Sequence, residues 1–124
     1  MSKKILIVED DEFLRGLEAV KLRKEGYEVF AVSNSVEAYK IVDETKDLGI
    51  ILLDLMLPDV DGFTILERVR KGSSNSNVPV VVFSNLSEEK DIERAKKLKI
   101  SEFMVKSNFN LDELTAKVKE LIGS

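Results

Sequence analysis

The sequence predicts an α/β fold in which five β-strands alternate with five α-helices. Five short runs of aliphatic and β-branched residues recur along the 124-residue chain, and segments with helical spacing of apolar residues separate them. Three of the runs (ILIV, IILL and VVVF) are continuously apolar, which is typical of strands covered on both faces. This alternation predicts a (βα)5 doubly wound parallel sheet with right-handed crossovers and helices on both faces.

The predicted strands follow one another at regular intervals. They are Lys4–Val8, Tyr27–Val32, Gly49–Leu53, Val78–Phe83 and Glu102–Val105. The second and fifth are shorter or more mixed in composition, as expected at the edges of a sheet. We therefore expect the strand order 2-1-3-4-5 of flavodoxin-like sheets, with a ligand site between strands 1 and 3.

Helix-capping signals mark where several helices begin. The predicted helices cover residues 11–25, 35–46, 63–70, 88–98 and 111–122. Asn34 with Glu37, and Asn110 with Glu113, have the spacing of a capping box. Ser87 is the predicted N-cap of the fourth helix.

Apolar residues at helical spacing predict which face of each helix is buried. In the first helix, the stripe formed by Phe13, Leu17 and Val20 is predicted to face the core. Leu14 lies off that stripe, so we expect it to be exposed, as an isolated surface Leu commonly is.

Composition predicts a single cytoplasmic domain spanning residues 1–124. The chain is 44% hydrophobic and 34% charged, with a net charge of −4. No long basic run indicates direct nucleic-acid binding, and no apolar run approaches the ~20 residues of a membrane span. Because the chain has no Cys and no His, any chemistry must use oxygen atoms and amines.

Polar residues follow the predicted strands. Glu9 and Asp10 follow strand 1, Asp54 follows strand 3, Ser84 follows strand 4, and Lys106 follows strand 5. In a parallel sheet these ends share one edge, where two carboxylates ~4 Å apart repel by roughly 4 kcal/mol at an effective dielectric of ~20. A hard divalent cation such as Mg²⁺, which prefers oxygen ligands, would relieve that repulsion.

Four segments resemble the receiver domain of two-component response regulators. They are ILIVEDDEFL, IILLDLMLPDVDGF, PVVVFSN and SEFMVK, and the resemblance extends over residues 3–122. It implies a stand-alone phosphoacceptor rather than an enzyme. It also implies that Asp54 is the phosphoacceptor. The implied ligands of Mg²⁺, or of Mn²⁺ in its place, are Glu9, Asp10, Asp54 and the backbone carbonyl of Met56.

The resemblance also implies a switch. Lys106 resembles the lysine that pairs with the phosphoryl group, and Ser84 resembles the hydroxyl residue that moves towards it. Phe103 resembles the aromatic residue that turns inward as Ser84 moves.

Three residues depart from the family pattern. Ser107 stands where a cis-proline is usual, so we expect a trans bond, or a strained cis bond. Asn85 is larger than the usual alanine, and it is predicted to alter water access to the phosphoryl group. Lys99 stands where many relatives have Gly, which implies modest strain if the turn needs a positive φ.

The implied partners are a histidine kinase or histidine phosphotransfer protein as donor, and an output protein that binds the face formed by helix 4, strand 5 and helix 5. Two alternatives stay open. One is a scaffold module that works without phosphorylation. The other is a small phosphatase with an aspartate nucleophile, which the sequence EDDEF after strand 1 disfavours because such enzymes carry DxDxT there.

Overall fold

The computed structural model describes residues 3–72 and 74–123. The strands are β1 (Lys4–Val8), β2 (Glu28–Val32), β3 (Leu48–Leu53), β4 (Val80–Ser84) and β5 (Glu102–Val105). The helices are α1 (Glu12–Lys24), α2 (Ser35–Glu44), α3 (Gly62–Gly72), α4 (Glu89–Lys97) and α5 (Leu111–Ile122), and a 3₁₀ turn covers Lys106–Asn108.

The five strands form one parallel sheet in the order β2-β1-β3-β4-β5, as predicted. Consecutive side chains of β1 enter opposite layers of the core. Leu6 packs with α2, α3 and α4, whereas Ile7 packs with α1 and α5. Residues Val8, Val32 and Leu53 lie in register, so β1, β2 and β3 end together at the edge where the polar residues follow.

Both ends of β4 differ from the prediction, and the first has a physical reason. Pro79 has no N–H group to donate to a neighbouring strand, although its carbonyl accepts a bond from Ile51 N at 2.9 Å. The strand therefore begins at Val80 rather than Val78. It continues to Ser84, which pairs with Val105.

The predicted capping signals are correct for two helices, α2 and α5, and wrong for α4. Asp11 caps α1, Asn34 caps α2, and Asn110 forms a complete capping box with Glu113. The prediction for Ser87 is wrong, because α4 has Glu88 at its N-cap without a side-chain capping bond. The carbonyl of Glu88 accepts from the amides of residues 91 and 92, which places the start of the helix one residue later.

The predicted core face of α1 is also wrong. Phe13 is 76% exposed and Val20 is 51% exposed, whereas Leu22 is buried and Leu14 is partly buried against the α5 layer. Two stripes at helical spacing run along this helix, and the one that is buried carries Glu18 between Leu14 and Leu22. Because this stripe contains a charged residue, apolar periodicity alone did not identify it as the core face.

Candidate functional site

Three carboxylates meet at the carboxyl edge of the sheet. Glu9 and Asp10 follow β1, and Asp54 follows β3; each offers an oxygen, and these oxygens lie within 4.8 Å of one another. The backbone sets this proximity, because Asp54 N donates to the carbonyl of Val8 at 3.0 Å. The predicted meeting of these three residues at one edge is confirmed.

Lys106 joins two of the three carboxylates. Its Nζ lies 2.7 Å from Oδ2 of Asp54 and 2.7 Å from Oε1 of Glu9. The other oxygen of Asp54, Oδ1, accepts a bond from Met56 N at 2.9 Å. Asp54 is only 5% exposed, so these bonds satisfy a charge that would otherwise be costly to bury. This explains how a carboxylate is tolerated at the end of a buried strand.

The pKa shifts at the site follow from burial and from the shared lysine. Burial raises the pKa of Glu9 to about 7, and the Lys106 ammonium group opposes that shift while the Asp54 charge adds to it. Burial alone would lower the pKa of Lys106, but its hydrogen bonds to Asp54 and Glu9 outweigh burial and the net shift is upward. Lys106 therefore stays positively charged between the two carboxylates.

The carboxylates open into a cleft of about 370 Å³. Its walls are formed by Glu9, Asp10, Asp11, Asp54, Met56, Asn85 and Lys106. Two buried carboxylates beside one exposed carboxylate give a hard, oxygen-only donor set that still admits water. Mg²⁺ and Mn²⁺ favour such donors, so the residues present fit a divalent cation of this class.

The two predicted switch residues lie apart from the cleft wall. Ser84 is completely buried at the end of β4, and its Oγ accepts a bond from Leu86 N at 3.3 Å. Phe103 is half-buried in β5 and packs with the core layer of α2, α3 and α4. Phe103 also lines a groove together with Ile92 and Ile100.

The departures from the family pattern have defined geometry. The described residues contain no cis peptide bond, so the bond between Lys106 and Ser107 is trans. Lys99 has a φ of 60°, and the strain expected for a non-glycine residue at this turn is therefore present. Asn85 lines the cleft, as its position after the strand predicts.

Sequence reasoning did not identify two residues that shape the site, Arg15 and Glu18, whereas Gly62 lies in a segment that resembles the family. Gly62 is required because an added Cβ would lie 2.5 Å from Leu55 Cα, next to the Asp54 loop. Arg15 donates to the backbone carbonyls of the acidic pair, and Glu18 is buried on the same helix. A signal for Glu18 was available, since it stands at i+4 from Leu14 and i−4 from Leu22.

Comparison with known proteins places the chain in a family. Residues 5–119 match the family model described as the response regulator receiver domain. The chain belongs to this family. Receiver domains are the signalling phosphoacceptors of two-component systems, which is the class of function that the sequence predicts.

A curated relative agrees with this assignment. The receiver domain is 37% identical over 120 residues to the transcriptional regulatory protein KdpE of Staphylococcus aureus, covering 96% of this chain and 49% of KdpE. The chain thus spans about half the length of the curated relatives it matches.

Two solved structures have the same fold. A CheY-like receiver domain from Methanospirillum hungatei superposes with a TM-score of 0.90 at 24% identity, covering 99% of this chain and 95% of that one. The receiver domain of the sensor histidine kinase PA1611 from Pseudomonas aeruginosa has a TM-score of 0.84 at 25% identity, with full coverage of both chains. The latter structure is described with a magnesium ion coordinated in its active-site cleft.

No helix in the described ranges, 3–72 and 74–123, is both long enough and apolar enough to span a bilayer.

Proposed function

We propose that this receiver domain accepts a phosphoryl group on Asp54 from a phosphohistidine, with a divalent cation held by Glu9, Asp10 and Asp54. The observation that carries the proposal is the position of Asp54. It is a buried carboxylate at the floor of an acidic cleft, hydrogen-bonded on one oxygen by Lys106 and on the other by Met56 N.

The transfer would form one bond and break one. A carboxylate oxygen of Asp54 attacks phosphorus, the P–N bond to the donor histidine breaks, and the imidazole nitrogen leaves with the bonding pair. The cation, when bound, would neutralise charge on the phosphoryl oxygens. The backbone carbonyl of Met56 is the fourth proposed protein ligand of that cation. Lys106, 2.7 Å from Oδ2, is placed to pair with the added negative charge.

The test is phosphorylation by acetyl phosphate in the presence of Mg²⁺, followed by intact mass measurement. We expect a mass gain of one phosphoryl group that is absent in Asp54→Asn and after removal of Mg²⁺ by chelation. Asp11→Asn is the matched control, because Asp11 lines the same cleft and Asn caps a helix as well as Asp does. No gain in the native protein would favour the scaffold alternative, and rapid turnover of phosphate esters would favour the phosphatase.

The exposed apolar stripe of α1 is the surface we propose for the phosphodonor protein. Phe13 lies three residues after Asp10, so the stripe begins at the rim of the cleft and continues through Leu17 and Val20. A histidine kinase or phosphotransfer protein that reaches Asp54 would cover it. Phe13→Ser should slow transfer from the protein donor and leave transfer from acetyl phosphate unchanged.

The output face proposed from the sequence includes a groove of about 260 Å³ between α4 and β5. Ile92, Ile100, Phe103 and Val105 contribute apolar walls, and Lys96 lies at its border. Since Ser84 pairs with Val105 on β5, a movement of Ser84 is coupled directly to the strand that forms this groove. We propose a switch in which phosphorylation shifts the population of groove conformations that an output protein binds. Amide hydrogen exchange in α4 and β5 should therefore change on phosphorylation.

A further inference from the structure

Arg15 contacts the main chain of the acidic pair rather than its carboxylates. From the first turns of α1, its Nη1 donates to the carbonyl of Glu9 at 3.0 Å, with a longer contact of 3.4 Å to the carbonyl of Asp10. Arginine beside several carboxylates usually forms an ion pair with one of them. Within residues 3–72 and 74–123, however, Arg15 forms no salt bridge, and its side-chain bonds go to these two carbonyls.

These contacts matter most at Asp10, because Glu9 is already held at its amide and at both carboxylate oxygens. Glu9 is held at its amide by the carbonyl of Val32 at 3.0 Å, and its Oε2 accepts from Asp11 N at 3.2 Å. Asp10 is exposed, and among the described residues the contact from Arg15 is the only hydrogen bond to its backbone. The direction of the Asp10 side chain follows from its backbone, so whatever fixes that backbone also aims the carboxylate.

We propose that Arg15 is a positioning residue for the divalent-cation site: by fixing the Glu9 and Asp10 carbonyls, it holds both carboxylates in the geometry that binds the ion. This inference rests on the proposed function. Arg15 does not touch the reacting atoms; it acts through the turn between β1 and α1. Groups that orient metal ligands in this way typically change metal affinity by about 10–100-fold when removed.

The sign of the effect separates positioning from simple electrostatics. Replacing Arg15 by Met removes a positive charge near a cation site, and charge alone would make Mg²⁺ bind more tightly. Loss of positioning makes Mg²⁺ bind more weakly. The two explanations therefore predict opposite changes in the same measurement.

The experiment is calorimetric titration of the native protein and of variants with Mg²⁺ alone. We expect Arg15→Met to weaken Mg²⁺ binding about tenfold, and Arg15→Lys, which keeps one donor group, to weaken it less. Arg23→Met is the matched control, because Arg23 lies on the same helix and donates to the carbonyl of Val29 at 2.9 Å, away from the cleft. That variant should bind Mg²⁺ like the native protein.

Phosphorylation by acetyl phosphate gives a second readout. For Arg15→Met, the dependence on Mg²⁺ should shift to higher concentration, while the rate at saturating Mg²⁺ should stay within about twofold of native, as expected for a group that orients ligands. Equal or tighter Mg²⁺ binding in both Arg15 variants would overturn the inference. Failure of the native protein itself to bind Mg²⁺ or to gain a phosphoryl group would instead overturn the proposed function.

Discussion

Glu18 should make the stability of this domain depend on pH in a way that a single substitution removes. Its side chain is 3% exposed on the inner face of α1, and its Oε1 has no hydrogen-bond partner in the described residues. Burial raises the pKa of Glu18 to about 8, and the charges of Glu9, Asp54 and Asp11 add to that shift while Lys106 opposes it. At neutral pH the folded protein therefore holds a proton there that the unfolded chain releases.

The size of the effect follows from the two pKa values. Glu18 has a pKa of about 8 when folded, against the usual 4.5 when unfolded. Since the folded state binds the proton more tightly, the free energy of unfolding falls as pH rises from 4.5, and the loss is complete above about 8. At about 1.4 kcal/mol for each pKa unit, the ceiling is about 5 kcal/mol. Most domains have only about 5–15 kcal/mol in total.

Glu18→Gln keeps the shape of the side chain and cannot ionise. We expect it to match the native protein near pH 4.5 and to exceed its stability by a few kcal/mol at pH 8.5, with the difference growing steadily between these limits. The measurement is urea unfolding followed by circular dichroism, because the chain has no Trp. Glu12→Gln is the control, since Glu12 is an exposed carboxylate on the same helix. A stability difference between native and Glu18→Gln that stays constant across this pH range would refute the reasoning.

Three further substitutions have expected outcomes. Gly62→Ala should lower the free energy of unfolding by about 1–3 kcal/mol, because the new Cβ would meet Leu55 Cα at 2.5 Å; an unchanged urea midpoint would contradict this. Lys106→Met should increase affinity for Mg²⁺ in calorimetry, because the ion no longer competes with the ammonium group that lies 2.7 Å from Asp54; weaker binding would show that Lys106 mainly shapes the site. Asn110→Ala should cost about 1 kcal/mol by removing the α5 cap, whereas Asn110→Ser should retain most of it in the same unfolding assay.

Local sequence determined the elements and the topology of this protein. Continuous apolar strands require cover on both faces, and short-range caps such as Asn110 with Glu113 act within one turn, so both can be read without the rest of the molecule. The alternation of strands and helices then places Glu9, Asp10, Asp54 and the other strand-end residues at one edge, because every parallel strand ends there.

Only the tertiary structure decided which of two stripes on α1 is buried and how the charges at the edge are paired. Phe13 is exposed and Glu18 is buried because the helix packs on the side where Leu22 fits the α5 layer, a contact between segments far apart in the chain. The sharing of Lys106 between Glu9 and Asp54, and the reach of Arg15 to the turn after β1, depend on side-chain distances that only folding sets. Periodicity records which residues share a helix face, but the free energy of packing selects the face that turns inward.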